Sequence, residues 1–383
     1  MIQLNWADVY YQTPTFDSEQ MRLATLRIPL DEVIDFGAPI GLTPLRDLLL
    51  PVVTYSPEFP LASTQLAMLV FAATRRPYAL NSYFPLTQRL DRDEQRSFYR
   101  LAGEITRQPT FQVSLVHWIM LDEAGVLRAD HNWRGADRKD ARFKLVMDST
   151  SESTAQLAFF VACHLAEVYF YRHDILERLM DTKIHIRLYA SPEAFKQDGG
   201  AAGGNFSLEK GGIQLLLTRL FEGYNDKTPG VAPFLHEFGH LLDHFDAAER
   251  RLSGSRGTLP GMRPDEGPLY APKARELFLK GKRLEAERYL RLHQYGYQAG
   301  LPLPIGHPYV FQNDTEFIAG YFEMFFRNPR YFAALNPDLF DSFVLVFGQD
   351  PRRVWKADFP FYIHQNQTYY RGDQRPPRHG LSL

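Results

Sequence analysis

Apolar residues keep a helical rhythm in some stretches of the chain and alternate with polar ones in others. From Leu90 to Thr106 the spacing is helical, with Leu101 and Ile105 four apart behind Asp91 or Asp93 as an N-cap. Phe111–Leu121 is β-rich, and Glu123-Ala-Gly125 reads as a turn, so a hairpin is predicted there. His131–Asp140 is polar and reads as a loop. Thr154–Leu179 reads as one long helix or two shorter ones opened by Ser/Thr caps. Ile184–Tyr189 alternates as a strand, the Gly-rich loop Gly199–Gly204 follows, and Ile213–Thr218 reads as a second strand. Thr228-Pro-Gly230 then breaks the chain. Beyond it, Phe234, Leu235, Phe238, Leu241, Leu242 and Phe245 form an apolar helical stripe, with Pro233 suited to the first turn. Ser253–Pro272 is rich in Gly, Pro and Ser and reads as a mobile surface loop. Ala274–Gln294 reads as a charged amphipathic helix, Phe317–Phe326 as an aromatic-rich one, and the tail from about Gln365 as weakly ordered.

These elements predict an α+β fold with a small mixed sheet and a helical C-terminal half. The first 80 residues are punctuated by proline and carry one helical stretch, Ser63–Thr74, so they read as an extension packed on something larger. No repeat period indicates a solenoid. With 383 residues, 45% hydrophobic and 23% charged, the chain can bury a core and is too apolar to be disordered. A net charge of −2 gives no support to a nucleic-acid or membrane-surface partner. The lone Cys163 excludes an intramolecular disulfide framework and any cysteine-rich zinc module. The apolar stretches Leu66–Thr74 and Leu157–Ala166 are too short to span a membrane, and the start lacks a signal-peptide pattern. The expected location is cytoplasmic.

The chemistry is concentrated in His236-Glu-Phe-Gly-His240. On a helix, histidines four apart project from one face and can bind one metal ion, and Glu237 stands where it can take a proton from a metal-activated water. The pattern arises by chance in about two per cent of chains of this composition, so a third ligand is needed to support it. His244 continues the series, but a straight helix carries it about 6 Å beyond His240. His293 lies in a charged helix and His307 in a Pro-Gly-rich loop, with no supporting pattern for either. Glu316 is the better candidate. Glu316, Ala319, Gly320 and Glu323 share one helix face, and the small residues allow another helix to approach closely. The competing reading of Glu316 is a capping box with Asn313. Glu323 and Asp243 are carboxylates that could orient a ligand histidine, Asp243 being equally readable as a solvated helix residue.

His236-Glu-Phe-Gly-His-Leu-Leu-Asp243, Tyr309 and Glu316-Phe-Ile-Ala-Gly-Tyr-Phe-Glu323 together resemble the MtfA family of zinc metallopeptidases, itself similar to the catalytic domain of anthrax lethal factor. The following residues extend the likeness: Phe325, Phe326, Pro329, Phe332, Pro337, Leu339, Phe343 and Gln349-Asp350-Pro351. It covers roughly residues 81–355. The resemblance implies a gluzincin-type domain over 81–360 between an N-terminal extension, 1–80, and a C-terminal tail, 361–383. It implies one Zn2+ per chain on His236, His240 and Glu316, Glu237 as general base, and Tyr309 as the donor that stabilises the oxyanion. Read without the family, Tyr309 is equally an ordinary aromatic. The segment Ser253–Gln294 is expanded relative to the family, and the hairpin near Phe111–Arg128 looks like an addition. Gly320 stands where thermolysin-like enzymes carry Asp, so a thermolysin-type site is excluded.

The expected activity is zinc-dependent peptide hydrolysis, on a peptide or protein substrate, with Ile213–Thr218 as a cleft-edge strand that pairs with it or else as an internal strand. Two other readings stand beside it. One is a regulator-binding protein that sequesters a transcriptional repressor, as the MtfA family is associated with, using the N-terminal segment or the basic helix Lys273–Arg291, although a solvated charged face is the favoured reading of that helix. The other is a secreted effector protease. Ser253–Pro272 is a candidate lid.

Overall fold

The structure, a computed structural model, describes residues 2–4, 53–55, 71, 75–121, 142–200, 203–220, 231–354, 358–372 and 375–383. The Ser63–Thr74 helix apart from Phe71, the Glu123–Gly125 turn, the His131–Asp140 loop and the Thr228–Gly230 break lie outside them. Two compact units emerge: Met1–His164 with Ile184–Ser207 and Gly212–Asp226, and Leu165–Lys183 with Leu208–Gly211 and Lys227–Leu383.

The first unit holds a two-stranded pairing of β1 (Ile2–Leu4) with β2 (Val53–Tyr55) and a five-stranded mixed sheet. Helix α1 (Arg92–Thr106) starts at a full capping box, which settles the cap on Asp91: its Oδ1 accepts the Asp93 and Glu94 N–H groups at 2.8 and 2.9 Å. The sheet strands are β3 (Phe111–Leu121), β4 (Arg142–Asp148), β5 (Ile184–Tyr189), β6 (Gly204–Ser207) and β7 (Gly212–Leu216), in the order β4-β3-β5-β7-β6. The central three are parallel and the outer two antiparallel. Alternation explains β5: Ile184, Ile186 and Leu188 are buried on one face, with His185 and Arg187 partly exposed on the other.

Two expectations change here. The Phe111 strand is not an appended hairpin, because β3 pairs with β5 as well as β4 and lies inside the sheet. Strand β7 is not an edge: β5 and β6 flank it, and the chain turns helical at Leu217–Leu220. With both sides hydrogen-bonded, it has no free groups with which to add a peptide strand.

The apolar stretch after Thr154 divides into α2 (Glu152–Tyr169), whose end from Leu165 belongs to the second unit, and α3 (His173–Met180), which belongs wholly to it. Short helix α4 (Pro192–Gln197) and the Leu217–Leu220 turn, α5, complete the first unit.

The second unit is helical: besides α3 it holds α6 (Pro233–His244), α7 (Pro272–Tyr295), α8 (Asp314–Arg327), α9 (Pro329–Leu335), α10 (Pro337–Phe347) and α11 (Pro360–Arg371). Phe322, Phe325, Phe326, Phe343 and Phe347 form its aromatic centre, with ring centroids 5.0 to 6.1 Å apart. Helix α7 packs on α10, and Gly281 lies so close to Leu339 that a Cβ would stand 2.7 Å from its backbone N. Its Lys282, Glu285 and Arg288 are buried, while Lys273, Glu276, Lys280, Arg283 and Glu287 are exposed, so the helix has a solvated charged face opposite a buried polar one. Lys282 pairs with Asp314 at 2.7 Å, and Glu285 accepts from Arg288, Tyr321 Oη and the Ile305 N–H.

The segment expected to be a mobile loop is built into this unit. A hairpin of β8 (Phe245–Asp246) and β9 (Arg251–Leu252) leads into it, Leu259 and Met262 are fully buried, and Pro264–Leu269 forms a 3-10 turn. Arg263, itself buried, donates to the carbonyls of Leu242, Asp243, Phe245 and Thr258 and pairs with buried Glu266. A cation on the last carbonyls of α6 complements the negative end of the helix dipole. The tail also differs from expectation. Residues 360–371 are helical, Arg375 bonds the Gln294 carbonyl, and the N–H groups of Gly380 and Ser382 bond Phe311 O and Asp314.

Helices α6 and α8 cross at Gly239. A Cβ there would lie 2.7 Å from Ala319 Cα and 3.3 Å from its Cβ. Replacing Gly239 by Ala adds about 1 kcal/mol of helix propensity but forces two backbones apart, an overpacking cost of about 1–3 kcal/mol. The Gly239→Ala variant is therefore expected to melt lower than wild type; a higher melting temperature contradicts the crossing. Arg263→Ala leaves Glu266 as an unpaired buried charge, and denaturant unfolding should show a loss of about 3–5 kcal/mol. A loss below 1 kcal/mol would mean that the segment does not clamp the helix.

Candidate metal centre

Helix α6 begins with Pro233 at its first turn, and its N-cap is Ala232, whose side chain cannot cap. The missing acceptor comes from α8: Glu323 Oε1 accepts the Ala232 N–H at 2.5 Å. The other oxygen of the same carboxylate lies 3.5 Å from His236 Nδ1. One buried side chain thus anchors the start of α6, where negative charge is favoured, and turns the His236 ring so that Nε2 points away.

The His236 and His240 rings stand 4.8 Å apart, nearly perpendicular at 84°. Glu316 Oε2 lies 3.1 Å from His236 Nε2 and 3.3 Å from His240 Nε2. Ligand bonds of about 2.0–2.2 Å at tetrahedral angles separate neighbouring donors by about 3.3–3.6 Å. The donor set and its spacing therefore fit a small divalent ion, and these three residues can hold one. Among the described residues no other His/Cys/Asp/Glu group does so.

The capping reading of Glu316 is decided by its side chain. Asn313 caps α8 by accepting the Glu316 N–H at 2.9 Å, but the Glu316 carboxylate faces the histidines and Tyr309. Tyr309, 44% exposed, stands on a 3-10 turn (Pro308–Phe311) and donates its hydroxyl to Glu316 Oε1 at 2.9 Å. Gly320 makes room for that turn: a Cβ there would meet Val310 Cγ1 at 2.2 Å. Of the two small residues expected at the helix crossing, Ala319 serves it and Gly320 serves the tyrosine turn.

Glu237 is buried next to His236. His244 Nδ1 faces the His240 carbonyl, His293 Nδ1 the Pro376 carbonyl, and His307 Nδ1 accepts the Tyr309 N–H, so none of these joins the cluster. Asp243 departs from its expected role. It does not accept an imidazole N–H from His236 or His240; its carboxylate accepts from Ser255, Arg256 and Gly257. His240 Nδ1 has no hydrogen-bond partner among the described residues. Sequence reasoning missed the Glu323–Ala232 bond and the Arg263 cap. The Arg263–Glu266 spacing was a visible signal, but a Pro-Gly-rich segment gave no reason to bury it.

The electrostatics follow from the carboxylates. Burial opposes a charge on His236, yet hydrogen bonding to Glu316 and Glu323 and the nearby Glu237 outweigh it and raise its pKa to about 10. Burial likewise opposes the Glu316 charge, but the two imidazoles hold that carboxyl far below its usual range. Burial and the bond to Glu316 keep the Tyr309 phenol protonated well above its ordinary range. Compared with known proteins, the chain matches no family model and no curated protein. Among the described residues no helix is long and apolar enough to cross a membrane.

A proton on His236 and a metal ion compete for the same ring nitrogen. Since the folded pKa is about 10, the ring is protonated at neutral pH and deprotonates only as pH rises through that value. Metal uptake at pH 7.5 should release a proton, and affinity should rise by about tenfold per pH unit below that pKa. Titration in weak buffer with a pH indicator checks this. Uptake without proton release contradicts it.

Proposed function

We propose that this chain is a zinc-dependent metallopeptidase of the gluzincin type, similar to the MtfA family. The observation that carries the reading is the convergence of His236 Nε2, His240 Nε2 and Glu316 Oε2, with Glu237 buried alongside and Tyr309 at the rim. Two imidazoles and one carboxylate suit zinc and leave a position for water. When bound, such an ion supplies Lewis acidity and acidifies a coordinated water.

The chain's own residues do the rest. Glu237 takes the proton from the attacking water and passes it to the leaving amine. Tyr309, kept protonated, is a donor for the negative charge that develops on the scissile carbonyl oxygen. To act there its hydroxyl must leave Glu316 Oε1, and its exposed position on a short turn allows that movement. Glu316 has one oxygen toward both histidines and the other toward Tyr309, so substrate binding exchanges one partner of a carboxylate that remains held by the second. The regulator-binding reading has no such cluster behind it: the basic helix exposes Lys273, Lys280 and Arg283, which a solvated charged face explains equally well.

The Glu237→Gln variant should keep its metal and lose about 10²–10⁴-fold in hydrolysis of a peptide library. Tyr309→Phe should lower kcat by about 10²-fold with KM little changed. Full hydrolysis by metal-loaded Glu237→Gln would sink the mechanism.

A further inference from the structure

Asp243 lies in the last turn of α6, one turn beyond His240, and is fully buried. A carboxylate near the negative end of a helix dipole is disfavoured by about 0.3–1 kcal/mol. Helix stability alone therefore calls for a different residue here, and the Leu242 and Asp243 carbonyls already have Arg263. What the carboxylate does is hold the loop that follows. Its Oδ1 accepts the N–H groups of Arg256 and Gly257 at 3.1 and 2.8 Å, and its Oδ2 accepts the Ser255 hydroxyl at 2.5 Å. Gly257 sits at φ +68°, where a side chain would be strained, so the loop can close on the carboxylate.

Ser255 still has a lone pair to offer, and it is used. Thr315 Oγ1 donates to Ser255 Oγ at 3.0 Å. Thr315 immediately precedes Glu316. A continuous run of hydrogen bonds thus leads from the residue one turn past His240 to the residue before the third ligand. The donors and acceptors are consistent along it: Thr315 donates to Ser255, and Ser255 donates to Asp243.

We propose that Asp243, Ser255 and Thr315 form a positioning relay that sets the separation of Glu316 from His240. The relay rests on the metal-centre reading above. It acts on ligand spacing, so its removal should change metal affinity and ligand geometry more than it changes folding. It also gives the loop after β9 a role at the metal centre in place of the expected lid.

The test uses the full chain as Ser255→Ala, Thr315→Val, the double variant and Thr315→Ser, with the wild type. Zinc dissociation constants come from competition with a chromophoric chelator. The d–d absorption of the cobalt-loaded protein reports ligand geometry, and melting of the metal-free protein reports the fold. The Ser255→Ala and Thr315→Val variants should each weaken zinc binding by about tenfold and shift the cobalt spectrum, with metal-free melting unchanged. The double variant should be no weaker than either single one, and Thr315→Ser should behave as wild type. Wild-type affinity and an unchanged cobalt spectrum in Ser255→Ala overturn the relay while leaving the metal centre standing. Effects that multiply in the double variant, or a matching fall in metal-free melting, overturn it as well. A wild type that binds no stoichiometric zinc overturns the metal centre and the relay together.

Discussion

The close crossing of α6 and α8 at Gly239 and Ala319 is the contact on which the rest of the site depends. Two helices normally pack with axes about 8–10 Å apart, a distance set by the side chains between them. Here one side chain is missing and the other is a single methyl, so the backbones close in. Glu316 and Glu323, one turn on either side of Ala319, are thereby carried to the two ends of the α6 histidine face. Glu316 meets both Nε2 atoms, and Glu323 meets His236 Nδ1 and the start of the helix. A larger residue at 239 would move all these contacts at once.

Helix α6 is held at both ends by groups far away in sequence. Glu323 satisfies its first N–H, and Arg263 satisfies its last carbonyls. Both are charged groups placed where the helix dipole favours them. Burial lowers the pKa of Arg263 and raises that of Glu266, so this pair is not itself a cheap source of stability. Its effect is to fix where the helix ends. The helix that carries His236 and His240 is therefore anchored at both ends, which a metal centre would require if its donors are to remain within a few tenths of an ångström of the right spacing.

The parts of this arrangement legible in the sequence are those written in local spacing. His236, Glu237 and His240 follow from a helical repeat, and Glu316 from a face that combines acidic and small residues. The strands and the capped helix α1 follow from alternation and from Asp91. The parts not legible depend on partners distant in the chain. Nothing local to Asp243 says that its carboxylate will bind a loop instead of an imidazole. The Gly-Pro content of Ser253–Pro272 signals turns, which here are packed turns around buried Leu259 and Met262. The interior position of β7 depends on β6 folding back upon it, and Glu285 and Arg288 of α7 are inward because Glu285 finds Arg288, Tyr321 and Ile305. The tail seats on groups 68 or more residues away, such as Gln294, Phe311 and Asp314.

The central claim is that His236, His240 and Glu316 hold one metal ion. Metal analysis of the purified wild type beside Glu316→Ala and His240→Ala tests it most directly. The account expects about one zinc per wild-type chain and loss of that zinc in both variants. Zinc retained in Glu316→Ala, or none in the wild type after zinc is added back, would contradict it.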